Sequence, residues 1–310
     1  MNWRLKLVLL FTNLTRPIDG ERDGIDIKEL RRKADVSARL GSRIFDRKVI
    51  VAHVTDTSAD GVPMRIYQNS DKPNQRVIIY YHGGGFVLYG PESHDYVCRR
   101  LCAMNDCVVV SVDYRLAPEH TYPAAHEDAY TAIKWVRNNI AHYGGDPNDI
   151  VLAGDSAGGN LSACMAHRCR NENIPLTAQV LIYPWIDGKL NNPSITRNGE
   201  GYLLTYPTML WYQKKYTPRV EDQCEPGVSP CYEADHTGLA PAFILTAEFD
   251  PLLDDGYKYC EQLKAAGNNV KYTEYPALIH GFFNLPRVDR HAMKAYWDIK
   301  EFLSDLQKKR

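Results

Sequence analysis

The sequence predicts an α/β fold: a mostly parallel eight-stranded sheet flanked by helices and carrying a helical cap. Three observations lead there. Short, continuously apolar runs recur along the chain and helical stretches separate most of them, as strands buried on both faces require. The first two strand-like segments instead lie on either side of an Asp60-Gly61 turn, which gives the sheet an antiparallel start. The 310 residues, 44% hydrophobic and 24% charged, suffice for one soluble domain with an elaboration.

Residues 1–45 are charged and helix-like, with Lys28 to Lys33 as a solvated face, and are expected to form N-terminal cap helices. The opening MNWRLKLVLLF has early positive charge and a short apolar run, Leu7 to Phe11, followed by no small-residue cleavage site; it reads as part of an amphipathic helix rather than a signal peptide. No stretch approaches the ~20 apolar residues of a transmembrane helix. Strands are expected at Lys48–Thr55, Met64–Asn69, Val77–Tyr81, Val108–Val112, Ile150–Ala153, Val180–Tyr183, Phe243–Thr246 and Val270–Tyr275. Helices are expected at His94–Asn105, Ala124–His142, Ala157–Asn171, Asp254–Ala266 and Val288–Lys308. The last has apolar residues at 288, 292, 295, 296, 299 and 303, a period near 3.6. Residues 186–233 lack a clear strand and are rich in aromatic and polar side chains. They divide the core into 46–185 and 234–310, and are expected to pack with 1–45 as a cap over a site at the strand ends.

Charge excludes some roles. Lys plus Arg is 37 and Asp plus Glu 38, so the near-neutral balance gives no sign of a nucleic-acid or membrane-surface partner. The 8 cysteines form no CxxC pair and no Cys/His cluster with zinc spacing; they read as buried small hydrophobes of a reducing, cytoplasmic protein. Oligomeric state is left open, a homodimer included.

Four motifs carry chemistry. Gly154-Asp155-Ser156-Ala157-Gly158, then Gly159, joins the strand ending at Ala153 to the helix opening at Ala157. A strand–turn–helix G-x-S-x-G is the nucleophile elbow: its tight turn needs small neighbours and presents a serine hydroxyl at a helix N-terminus. His82-Gly83-Gly84-Gly85 directly follows a strand and matches a loop whose amides stabilise an oxyanion, with Gly83, Gly84 and Ala157 as the expected donors and His82 structural. Asp250 follows the strand ending at Thr246 and is favoured as the orienting acid over Glu248, Asp254, Asp255 and Asp187. Beyond Asp250 only His280 and His291 remain. His280 lies on a loop after a strand, His291 within the last helix, and a weak hydroxyl nucleophile needs such a base.

With HGGGF (82–86), DYRLAPEH (113–120), YPAAHED (122–128), GDSAGG (154–159), AEFDPLLDD (247–255) and HGF (280–282) in this order, the sequence resembles the bacterial hormone-sensitive-lipase-like carboxylesterases, a family that includes acetyl esterases and arylacetamide deacetylase. The resemblance spans roughly residues 75–285. It implies the α/β-hydrolase fold, a Ser156–His280–Asp250 triad, an oxyanion hole of Gly83, Gly84 and Ala157, and hydrolysis of short- to medium-chain acyl esters by water without metal or organic cofactor. Asp113, Arg115 and Glu119 read as one structural polar cluster behind the oxyanion loop, and Asp128 as structural too. Phe86, Trp185, Tyr202, Trp211 and Tyr212 are candidate pocket-lining residues, or simply core. Two other functions stay open: amide hydrolysis by the same triad, and ligand binding as in the plant gibberellin receptors, which resemble this family but have lost the histidine. A histidine base predicts activity falling at acid pH, near the reference imidazole value of ~6.5.

Overall fold

The computed structural model describes residues 1–14, 26–45 and 47–308. Two helices, α1 (Trp3–Leu14) and α2 (Ile27–Phe45), precede the hairpin of β1 (His53–Ala59) and β2 (Val62–Gln68). Then come β3 (Gln75–Tyr81), α3 (Asp95–Asn105), β4 (Val108–Val112), α4 (Ala124–Asn139), β5 (Gly145–Asp155), α5 (Ala157–Asn171) and β6 (Ala178–Ile182). Two helices, α6 (Pro193–Asn198) and α7 (Tyr206–Tyr216), occupy the strandless insertion. The chain closes with β7 (Ala242–Phe249), α8 (Leu253–Ala265), β8 (Val270–Ile279) and α9 (Arg290–Lys308).

The eight strands form one sheet in the order β1-β2-β4-β3-β5-β6-β7-β8. The pairs β1–β2 and β2–β4 are antiparallel and all others parallel. Alternation along β3 shows why its run is apolar throughout. Val77, Ile79 and Tyr81 pack with α4 and α5, while Ile78 and Tyr80 pack with α3 and α9. Both faces are covered, so both parities must be apolar.

Several strand boundaries move: β5 begins at Gly145 rather than Ile150, β7 runs to Phe249 rather than Thr246, and β8 runs to Ile279 rather than Tyr275. The first strand shifts too. The expected strand from Lys48 begins at His53, because the tight turn sets Ala59 opposite Val62 and β2 ends at Gln68, the partner of His53. Residues 48–52 have no opposing backbone to pair with. The expected cysteine burial holds for seven of the eight, Cys224 being exposed, and all eight are free thiols. Among the described residues no helix is long and apolar enough to cross a membrane, and no group of His, Cys, Asp and Glu is arranged to hold a metal ion.

Candidate active site

The sheet brings three chain-distant residues together through its register. Phe249 on β7 pairs with Ile279 on β8, so the next residues, Asp250 and His280, leave the sheet side by side. His280 Nδ1 lies 2.7 Å from Asp250 Oδ2. On β5, Asp155 pairs with Ile182 of β6, and Ser156 follows as the last residue before α5. Ser156 Oγ stands 3.0 Å from His280 Nε2. All three side chains are buried, and the Tyr183 ring packs at 4.6 Å from the imidazole.

Ser156 has φ 56°, a left-handed conformation that costs a non-glycine residue on the order of 1–3 kcal/mol. Its amide donates to Ile182 O and its carbonyl accepts from Trp185 N and Asn160 N, so the neighbouring strand and helix hold the strained turn. Space around it is minimal. A Cβ on Gly158 would lie 1.9 Å from Tyr81 O, and one on Gly154 2.3 Å from Gly158 O. Gly158→Ala is therefore expected to destabilise the protein by about 3 kcal/mol or more in a urea titration, since backbone rather than a flexible side chain must yield. Near-wild-type stability would mean that α5 sits farther from β3 than these contacts require.

The oxyanion-type loop has a different donor arrangement from the expected one. The Gly83 amide donates to Asp155 Oδ1 at 2.9 Å and is thereby committed to the scaffold. The Gly83 carbonyl accepts from His82 Nδ1 at 2.7 Å, and the Gly84 carbonyl accepts from the amides of Val87 and Leu88. Because C=O and the following N–H of a trans peptide point in opposite directions, the amides of Gly84 and Gly85 face away from those partners. The expected trio of Gly83, Gly84 and Ala157 thus loses Gly83, which the sequence could not show because the side chain taking it lies 72 residues away.

Asp155, the unspecified position of the G-x-S-x-G, anchors this loop. Its Oδ1 also accepts from Tyr80 Oη at 2.8 Å, and Asn284 Nδ2 approaches Oδ2 at 3.4 Å. His94 Nε2 is 3.3 Å away, within charge-interaction range but outside hydrogen-bond geometry. Burial alone would raise this carboxyl; the His94 ring and the Tyr80 hydroxyl outweigh it and hold the group down at about 2. His82 is fully buried, stacks on Tyr114 at 4.2 Å and is pushed down to about 3, chiefly by burial. It is thus a neutral structural ring. Tyr114 Oη donates to His82 O at 2.6 Å from behind the loop.

A family model described as alpha/beta hydrolase fold matches residues 78–284, well over half of the chain. The chain belongs to the α/β-hydrolase fold family. This hydrolase is 40% identical over 283 residues to the carboxylesterase NlhH of Mycobacterium tuberculosis, covering 88% of this chain and 86% of the relative. It superposes on the esterase of the archaeon Pyrobaculum calidifontis with a TM-score of 0.93, 35% identity and 99% of each chain covered. It is also 30% identical to the gibberellin receptor GID1 of Oryza sativa, over 93% of this chain and 82% of that one.

Within the hydrolase, every competitor of Asp250 is engaged elsewhere. Glu248 Oε2 accepts from Ala277 N, and Asp254 from Ser194 N and Arg197. Asp255 accepts from the amides of Ile186 and Asp187 and from Asn192, while Asp187 takes Tyr232 Oη and Lys258 Nζ. His291 pairs with Asp289 at 2.8 Å, in the first turn of α9. The polar cluster expected behind the loop divides instead into separate contacts. Arg115 pairs with Asp128 at 2.7 Å, Glu119 with Arg31 of α2 at 2.7 Å, and Asp113 donates its amide to Pro63 O.

The aromatic candidates also divide. Phe86 stacks on Tyr216 at 3.8 Å and lies 6.1 Å from Trp185; Trp211 and Tyr212 are 5.4 Å apart on α7. Tyr212 faces Gly85 so closely that a Cβ there would lie 2.3 Å from its ring. Tyr202 sits apart from these, stacked on Phe249 at 5.2 Å, one residue before Asp250. The residues missed in the sequence are therefore Asp155, Tyr80, Tyr114 and Tyr216. The one signal for them was the acidic residue ending an apolar strand inside the elbow.

Proposed function

We propose that the chain hydrolyses carboxylic esters of short to medium acyl chains, with Ser156 as nucleophile, His280 as base and Asp250 as the group that orients the base. The observation that carries this reading is the unbroken line from Ser156 Oγ to His280 Nε2 at 3.0 Å and from His280 Nδ1 to Asp250 Oδ2 at 2.7 Å. Ser156 Oγ attacks the ester carbonyl as its proton passes to Nε2. The oxyanion is met by the amides of Gly84, Gly85 and Ala157, the last at the positive end of α5. The tetrahedral species expels the alcohol, which takes the proton from Nε2. Water, deprotonated by Nε2, then attacks the acyl-enzyme and frees the acid.

In this reading the described residues of 1–45 form the cap together with 186–233, residues 15–25 of the expected cap lying outside the described residues. Three contacts on consecutive residues support it: Tyr212 lies against Gly85, Tyr216 stacks on Phe86, and Arg31 Nε donates to Val87 O. The esterase names of NlhH and the Pyrobaculum protein support the reaction class. A receptor role, as the name of the rice relative states for that protein, would not need a histidine held between Ser156 and Asp250.

The test is a p-nitrophenyl ester series from acetate to palmitate, with a matched anilide alongside. Fast turnover of the short esters, falling toward palmitate and exceeding the anilide, is expected. An anilide cleaved faster than its ester would make the protein an amidase. Inactivity on every ester and on the anilide would remove the hydrolytic reading.

A further inference from the structure

Helix α1 is apolar on two sides. Leu5 and Leu9, one turn apart, are buried in the cluster that contains Val288, Ala292 and Tyr296. Asn2 Nδ2 donates to Val288 O and Arg4 Nη1 to Arg287 O, which fixes this side of the helix against the start of α9. On the other side Trp3, Leu7 and Leu10, spaced i, i+4, i+7, are 66%, 53% and 58% exposed. Helix α2 behaves likewise. Its first half is tied down through buried Leu30 and through Arg31, which bonds Val87 O, Ala117 O and Glu119. Its second half presents Leu40 and Ile44, one turn apart and 52% and 69% exposed.

The two stripes converge. Trp3, Leu7 and Ile44 line one cleft of about 250 Å³ together with Arg4 and Arg287. Single exposed apolar side chains need no explanation, but a run of them on adjoining helices does. The surroundings are basic: Arg4, Lys6, Arg43 and Arg287 are all exposed on a chain whose overall charge is only −1. Asp289, the carboxylate beside the cleft, is already bonded by Asn2 and His291.

We propose that this face docks on an anionic lipid surface, with Trp3, Leu7, Leu10, Leu40 and Ile44 entering the headgroup boundary and the surrounding cations pairing with lipid phosphates. Neither part suffices alone. A short apolar stripe binds bilayers weakly and a few cations are screened by salt, but the two together give reversible anchoring. Tryptophan at the edge of such a stripe suits the interface, its ring apolar and its N–H wet. Charge argues against a second copy as the occupant. A two-fold contact would set the same basic patch, Arg4 and Arg287 included, against its own copy. Because α2 runs from this face to Val87 beside the oxyanion loop, docking would hold the catalytic side of the molecule near the lipid.

The full chain is tested by co-sedimentation with phosphatidylcholine vesicles, with and without phosphatidylglycerol, at low and high salt. Binding is expected to the anionic vesicles and to weaken with salt. Leu7→Gln with Leu10→Gln should abolish it, and Arg4→Gln or Arg287→Gln should each weaken it about fivefold. The circular-dichroism spectrum and melting temperature of every variant should match wild type, which shows that each is folded. Wild type that ignores anionic vesicles, that binds neutral ones equally well, or that matches the double variant overturns the proposal. A concentration-dependent dimer abolished by Leu7→Gln would overturn it in favour of self-association.

Discussion

Ser156→Ala is expected to lower kcat/KM for p-nitrophenyl acetate by about 10⁴- to 10⁶-fold. The substitution removes only the hydroxyl. The amide bond to Ile182 O and the carbonyl bonds from Trp185 and Asn160 stay in place, so the elbow keeps its shape and the melting temperature should barely move. His280→Ala should cost about as much, because the hydroxyl is a poor nucleophile without a base 3.0 Å away. The two losses should not add: residues acting as one device fail as one, so the double variant should be scarcely slower than either single variant. Steady-state kinetics on the four proteins decide this. Full activity in Ser156→Ala would end the nucleophile assignment and the mechanism built on it.

The second large effect is expected away from the reacting atoms. Asp155→Ala removes a buried carboxylate on which the Gly83 amide, Tyr80 Oη and the His94 ring converge. Leaving such partners without a counterpart costs about 3–5 kcal/mol in denaturant titration. The same change frees the loop that carries Gly84 and Gly85, so kcat should fall by about 10²- to 10³-fold, the cost of a lost oxyanion donor, while KM changes less. Asp155→Asn keeps an acceptor for Gly83 and should be milder on both counts. It also separates charge from shape. The folded carboxyl sits at about 2 against an ordinary value of 3.8, so the unfolded chain takes up its proton first as pH falls. The charge-dependent contribution of Asp155 is thus complete above about pH 4 and fades as pH drops toward 2. The stability gap between wild type and Asp155→Asn should close over that window. A gap independent of pH would assign the effect to shape alone.

Much of this site was legible because its parts are local. A strand, a tight turn and a helix leave marks in neighbouring residues: Ile150–Ala153 is apolar, 154–159 is small, and α5 spans the expected Ala157–Asn171. Likewise Val108–Val112 appears as a strand with its expected bounds. The same local reading placed a glycine run after β3, Asp250 after β7 and His280 after β8. What it lacked was the partner of each group. Glu248, Asp254 and Asp255 lie within five residues of Asp250, and the sequence could favour Asp250 without showing what the others bind. The Phe249–Ile279 register and the amides of Ala277, Ser194 and Ile186 separate them.

The near-neutral total charge likewise hid a basic, apolar face, because a sum over the chain has no geometry. The sequence by itself determined the strand and helix periodicities, the elbow, and the chain order of serine, acid and base, all properties of short contiguous stretches. Tertiary structure alone decided which carboxylate meets His280, that Asp155 takes the Gly83 amide, and that α7 closes over Gly85. Each of those depends on a hydrogen bond or contact between residues far apart in the chain, and its geometry is fixed only once strand register and helix packing are set.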